Sequence, residues 1–146
     1  LDPVLCSSSG HALLDPEGVQ ALIALLLPRT TILTPNLPEL AALAAALGMA
    51  PAVEREEIVN ALLSRGCQSV LLKGGHDLPS SVSEDVLYET DSPPVAFRSP
   101  RFSFELRGTG CQLASGLAAK LAAGKDLTEA IRAARCGIEA RFRNAG

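Results

Sequence analysis

The chain has 146 residues, 47% of them hydrophobic, and a net charge of -3 at neutral pH. That is enough apolar chain for one folded domain with its own core, which excludes intrinsic disorder. The mild acidity excludes a basic nucleic-acid module, and 3% aromatic residues with no tryptophan exclude a platform for stacking bases.

In chain order, Leu1–Leu5 reads as the carboxyl end of a buried strand, so the chain opens as if in the middle of a domain. Cys6–Asp15 is a polar loop. Asp15 is an N-cap with Pro16 at the first helical position, and a helix runs on to about Leu27, where Pro28 ends it. The β-branched "TTILT" at Thr30–Thr34 predicts a buried strand. Pro38 opens an Ala/Leu helix that stops near Gly48, and Glu54–Arg65 forms an amphipathic helix closed by Gly66. "SVLLK" at Ser69–Lys73 is the next buried strand, followed by the turn-rich "GGHDLPSSVSE". "DVLYET" and "VAFRS" pair as a hairpin across "DSPP". A helix over Cys111–Ala123 and a last one from about Leu127 to Arg141, capped by Asp126, complete the chain. Strands alternating with helices predict βαβ units and a mostly parallel sheet, with ligands beyond the carboxyl ends of the strands.

No apolar run reaches the roughly 18 residues of a membrane span. No charged segment followed by an apolar one opens the chain, so a cytoplasmic location is expected. Cys6, Cys67, Cys111 and Cys136 are widely spaced with no C-x-x-C pair, which predicts reduced thiols and neither a zinc site nor a disulfide framework.

Four short motifs fall where a parallel sheet would present ligands. In "GTGC", Gly108, Thr109, Gly110 and Cys111 precede an Ala-rich helix. Small residues there let the free N–H groups of a helix start approach a phosphate, and a thiol at that place acquires a lowered pKa; a plain glycine-rich helix entry has the same look. In "TPNLPE", Glu39 is a hard oxygen donor for magnesium, or else Asn36 and Glu39 are simply a cap and a first-turn acid. In "LLKGGH", Lys73 ends a buried strand and needs an anionic partner. Gly74 and Gly75 permit close approach, His76 reads as a turn residue, and a solvent-facing lysine is the alternative. Asp2 in "LDPVL" is a metal- or phosphate-facing acid, or a structural Asp-Pro turn.

The order of these motifs carries more than any one of them. Asp2-Pro3-Val4, Ser9-Gly10, Leu13-Leu14, Thr34-Pro35-Asn36-Leu37-Pro38-Glu39, Val70-Leu71-Leu72-Lys73-Gly74-Gly75-His76, Asp85-Val86-Leu87-Tyr88 and Gly108-Thr109-Gly110-Cys111 together resemble the hydroxymethylpyrimidine/phosphomethylpyrimidine kinases of thiamin biosynthesis, in the ribokinase-like superfamily. The resemblance implies a three-layer α/β/α fold with a mostly parallel sheet. It implies that residues 1–146 are the C-terminal, nucleotide-binding portion of such a kinase domain, with the N-terminal strands missing. It implies ATP and Mg2+ as cofactors, and phosphorylation of 4-amino-5-hydroxymethyl-2-methylpyrimidine and then of its monophosphate.

Carried over residue by residue, Gly108 and Gly110 form the anion hole with Cys111 as the base. Lys73, Gly74, Gly75, Thr109 and Asn36 serve the nucleotide, Val4 lines the pyrimidine, and Asp2 and Glu39 serve the magnesium. The flanks depart from the family pattern: Leu106-Arg107 stand where Thr-His is usual, and Gln112-Leu113-Ala114 where Thr-Leu-Ser is usual. The alternatives are a related pyridoxal or hydroxyethylthiazole kinase, and a non-catalytic remnant that binds a nucleotide or a partner chain. The expected partner is a small pyrimidine, with no nucleic acid or membrane. A second copy or a complementing chain would restore the sheet.

Overall fold

In the computed structural model, which describes residues 1–7, 10–74, 81–102, 104 and 106–146, Asp15 accepts the Gly18 N–H and so starts α1 (Pro16–Ala21). The helix then widens into a π-helical stretch, Leu22–Leu26, and tightens into a 3-10 turn, Leu27–Arg29. The change of pitch falls at Pro28, which has no N–H to donate and would crowd a regular turn. Asn36 starts α2 (Leu37–Ala46) through a reciprocal capping box. Its side chain accepts from the Glu39 N–H, and the Glu39 carboxylate accepts from the Asn36 N–H. The third helix, α3 (Arg55–Leu63), leads to Gly66 at φ 97. A Cβ there would stand 3.1 Å from the Pro28 backbone, so backbone angle and packing both favour glycine.

The strands β1 (Ser69–Lys73), β2 (Val82–Glu89) and β3 (Val95–Pro100) form a sheet in the order β1-β2-β3, with both pairings antiparallel. The expected mostly parallel sheet is corrected here, and the reason is connection length. The links at residues 74–81 and 90–94 are shorter than the dozen or so residues a parallel crossover takes. Parallel pairing survives on the other edge of β1 as the bridges Leu33↔Val70 and Asn36↔Lys73. There the Leu33 N–H donates to Ser69 O, Leu71 N–H to Leu33 O and Lys73 N–H to Pro35 O. Thr30–Thr34 is thus an extended segment beside β1 and not a full strand. Leu1 lies against it in turn, with Thr34 N–H donating to Leu1 O at 3.0 Å.

Two helices close the chain, α4 (Thr109–Ala122) and α5 (Leu127–Ala145). Asp126 caps α5 by accepting from the Glu129 N–H. Alternation along β1 builds three layers. Val70 and Leu72 face Leu27, Leu40, Leu43, Val59 and Leu62 of the first three helices and their extensions. Leu71 faces Leu87, Phe97, Leu113, Leu117 and Ile131, in the sheet, α4 and α5. Each leucine fully withdrawn from water contributes roughly 1.5–3 kcal/mol, so both helical layers clamp the sheet. At one end of this sandwich meet the close of β1, the capping box of α2 and the start of α4.

Candidate active site

Val70, Leu71 and Leu72 are buried, and the strand they form delivers Lys73 to its end with a side chain only 13% exposed. An ammonium so withdrawn requires anionic partners. Asp2 Oδ1 lies 2.9 Å from Nζ and Glu39 Oε2 3.8 Å. The Thr34 hydroxyl donates to the same Asp2 oxygen at 3.1 Å, fixing that carboxylate. Burial pushes the Glu39 carboxyl above its ordinary range, against the opposing pull of the Asn36 N–H and of Lys73.

Opposite Lys73 stands the head of α4. Gly108 occupies its N-cap position at φ 78, a left-handed conformation that glycine takes without strain, and no side chain caps the helix. The first helical bond runs from Gln112 N–H to Gly108 O, so the amides of the turn before it have no acceptor within the helix. A Cβ on Gly110 would stand 3.4 Å from Lys73 Nζ. The positive end of α4 and the ammonium therefore converge, with space kept open by a missing side chain. That is a fit for an anionic phosphate.

The convergence lies on the wall of a cavity of about 660 Å³. Of the residues given a site role from the sequence, Asn36, Lys73, Thr109 and Gly110 line it, as do Asp85 of a quoted motif and Leu106, Arg107 and Leu113 of the departing flanks. Asp2 and Glu39 touch Lys73 from behind, and Gly108 caps the helix that forms one wall. The Gly74 N–H donates to Asp85 Oδ1 at 3.1 Å. Cys111 is exposed in the first turn of α4, and Val4 is 36% exposed; neither lines the cavity. Gly75 and His76 lie outside the described residues. No group of three or more His, Cys, Asp or Glu side chains gathers as a metal nest among the described residues. The carboxylates beside Lys73 are Asp2 and Glu39, a pair able to serve a magnesium ion that keeps part of its water shell, while Asp85 and Glu139 line the cavity itself.

On the opposite wall, sequence reasoning gave Asp85 only as part of a motif, with no role, and missed Arg135. Arg135 of α5 and Asp85 of β2 form a buried ion pair, and Arg135 also donates to Ser99 Oγ at 2.7 Å and to Ser83 O at 3.3 Å. Burial lowers the Arg135 pKa, but it remains an arginine and charged. A signal existed: Arg135 stands on the apolar stripe of α5 that carries Ile131, Ile138 and Phe142, where a charge is out of pattern. Phe102 and Phe142 stack at 4.7 Å near Phe104, forming an apolar end to the cavity. The two departing flanks of "GTGC" are tied together as well, since Arg141 donates to Gln112 Oε1 at 2.7 Å and to Arg107 O at 3.3 Å.

The sequence matches the family described as phosphomethylpyrimidine kinase over residues 1–145. It is 38% identical over 143 residues to a hydroxymethylpyrimidine/phosphomethylpyrimidine kinase of Rhizobium meliloti, a match that covers 96% of this chain and 52% of the relative. The fold superposes on an ADP complex of Bacillus subtilis pyridoxal kinase with a TM-score of 0.75 at 32% identity, covering 92% of this chain and 50% of that one. It superposes on a phosphomethylpyrimidine kinase from Clostridium difficile with a TM-score of 0.71 at 31% identity, covering 97% and 55%. These likenesses bear out the ribokinase-like fold expected from the motifs. The chain spans about half the length of the curated relatives it matches.

Proposed function

The chain belongs to the phosphomethylpyrimidine kinase family, and on that premise we propose that it takes part in ATP-dependent phosphorylation of 4-amino-5-hydroxymethyl-2-methylpyrimidine and its monophosphate. One observation carries the reading: Lys73 Nζ stands against Gly110 at the head of α4, so an ammonium and a helix N-terminus share one spot on the cavity wall. Phosphoryl transfer asks little covalent chemistry of a protein. It asks for positioning and for charge where the phosphoryl oxygens lie.

In this reading Lys73 and the amides of Thr109, Gly110 and Cys111 hold phosphate oxygens. Cys111 takes up the proton of the acceptor hydroxyl, and Val4 contributes to the pyrimidine side. Asn36, Gly74 and Gly75 shape the nucleotide side. Asp2 and Glu39 hold the magnesium, which, when bound, offsets charge on the phosphates. The protein is read as cytoplasmic, with a small molecule as partner.

A second reading, nucleotide binding without turnover, is favoured by the exposure of Val4 outside the cavity. A pyridoxal acceptor is a third, favoured by the likeness to the Bacillus subtilis enzyme.

Calorimetric titration with Mg-ATP separates these readings. Micromolar-to-millimolar binding that Gly110→Ala weakens at least about tenfold supports the phosphate site, because the new methyl fills space between the head of α4 and Lys73. Turnover is then assayed with the hydroxymethylpyrimidine and with pyridoxal. Binding without turnover on either substrate moves the conclusion to the second reading. No heat from a chain shown to be folded overturns the nucleotide site altogether.

A further inference from the structure

Lys73 and Asp85 are directly paired across β1 and β2. Directly opposed side chains share a face of the sheet, with Cβ atoms only about 4.5–5.5 Å apart. Both residues also line the same cavity. Opposite charges so placed ordinarily pair, yet here they do not. Lys73 turns instead to Asp2 and Glu39 and lies against Gly110. Each oxygen of Asp85 already has a donor: Oδ2 accepts from Arg135 and Oδ1 from the Gly74 N–H. Arg135 in turn is fastened by Ser99 Oγ and Ser83 O, so it cannot easily leave the carboxylate.

We infer that Arg135 is a positioning residue for Lys73. By occupying Asp85, it keeps the cross-strand carboxylate from capturing the ammonium, which is thereby directed to the head of α4. Gly74 completes the device. Its N–H fills the second oxygen of Asp85, and its lack of a side chain lets β1 pass the Glu84 carbonyl, which a Cβ would approach to 2.2 Å. The catalytic consequence of this placement rests on the kinase reading above; the placement itself does not.

The test uses lysine labelled at Cε and Nζ, which gives few signals because the chain has three lysines, Lys73, Lys120 and Lys125. Without any nucleotide, Arg135→Met is expected to move the Lys73 signal, because Asp85 is released and competes for it. The double variant Arg135→Met/Asp85→Asn is expected to return the signal to its original position, and Asp85→Asn alone to leave it there. A signal that stays in place in Arg135→Met overturns the inference. So does one that Asp85→Asn displaces as much as Arg135→Met does, because mere loss of the ion pair would then explain the change. Should Arg135→Met fail to fold, the folded double variant decides, and a displaced Lys73 signal in it overturns the inference.

Mg-ATP affinity supplies the second arm. Arg135→Met weakens binding about tenfold when Lys73 is present and not at all in a Lys73→Ala background. An equal loss in both backgrounds means a structural role only, and overturns the inference. If the unaltered chain binds no Mg-ATP while the lysine signals behave as expected, the kinase reading falls and the positioning role of Arg135 stands.

Discussion

Arg135 and Lys73 meet carboxylates at the same end of the sheet and are held in different ways. Arg135 lies between a helix and two strands, with acceptors from Ser83, Asp85 and Ser99 around its planar fork. Lys73 is shared between one close carboxylate and one at 3.8 Å, and its flexible stem ends at a cavity wall beside Gly110. The contrast separates scaffold from site. A buried guanidinium held by three acceptors fixes the frame, whereas an ammonium with one close carboxylate and the space beside Gly110 can accept a further anion without dismantling anything.

Breaking the side held by three acceptors should cost most. Asp85→Ala leaves a buried guanidinium without its carboxylate and is expected to lower stability by about 3–5 kcal/mol in urea denaturation. A loss under about 1 kcal/mol would show that Arg135 escapes to water and is not part of the frame. Gly74→Ala forces a methyl onto the Glu84 carbonyl, at a cost of about 1–3 kcal/mol or more, visible in the same experiment. Asn36→Ala removes half of the capping box of α2 and should cost about 1 kcal/mol, with thermal unfolding as the check.

The smallest effect sharpens the loosely held side. The Glu39 carboxyl is raised above its ordinary value of 4.5, so the folded chain holds this proton more tightly than the unfolded one. Its contribution to stability is therefore fully present below that value and is lost as pH rises through the raised one. Glu39→Gln keeps a side chain suited to the capping box and should flatten that fall. Denaturation midpoints compared across mildly acidic pH give the answer, and an unchanged slope would remove Glu39 as its source.

Local chemistry made much of this legible in the sequence. Asp15-Pro16, Asn36 with Glu39, and Asp126 each announce a helix start through one side chain and a nearby amide, and all three cap as read. "SVLLK" and the hairpin across "DSPP" were equally local. The sheet's direction was not, because the expectation of parallel strands came from alternation along the chain and not from the short links that decide pairing. "TTILT" has strand chemistry but contributes only two parallel bridges with its flank. At the site, Asn36, Lys73, Thr109 and Gly110 were found because their motifs sit at the ends of elements. Asp85 and Arg135 are fifty residues apart and belong to no motif that names the pair; only the folded chain brings them together.

One short strand carries an obligation to both halves of the molecule. Val70 and Leu72 belong to one core and Leu71 to the other, while the backbone of β1 bonds to neighbours on both edges. Neither helical layer can peel away without stripping a face from this strand, so the two layers open together. The amides of Leu71 and Lys73, bonded to Leu33 and Pro35, should accordingly be among the slowest to trade their hydrogens for deuterium, at rates set by global and not local opening. The lysine at the end of that strand is then borne by a stretch expected to exchange slowly, so its ammonium can change partners while its backbone stays still.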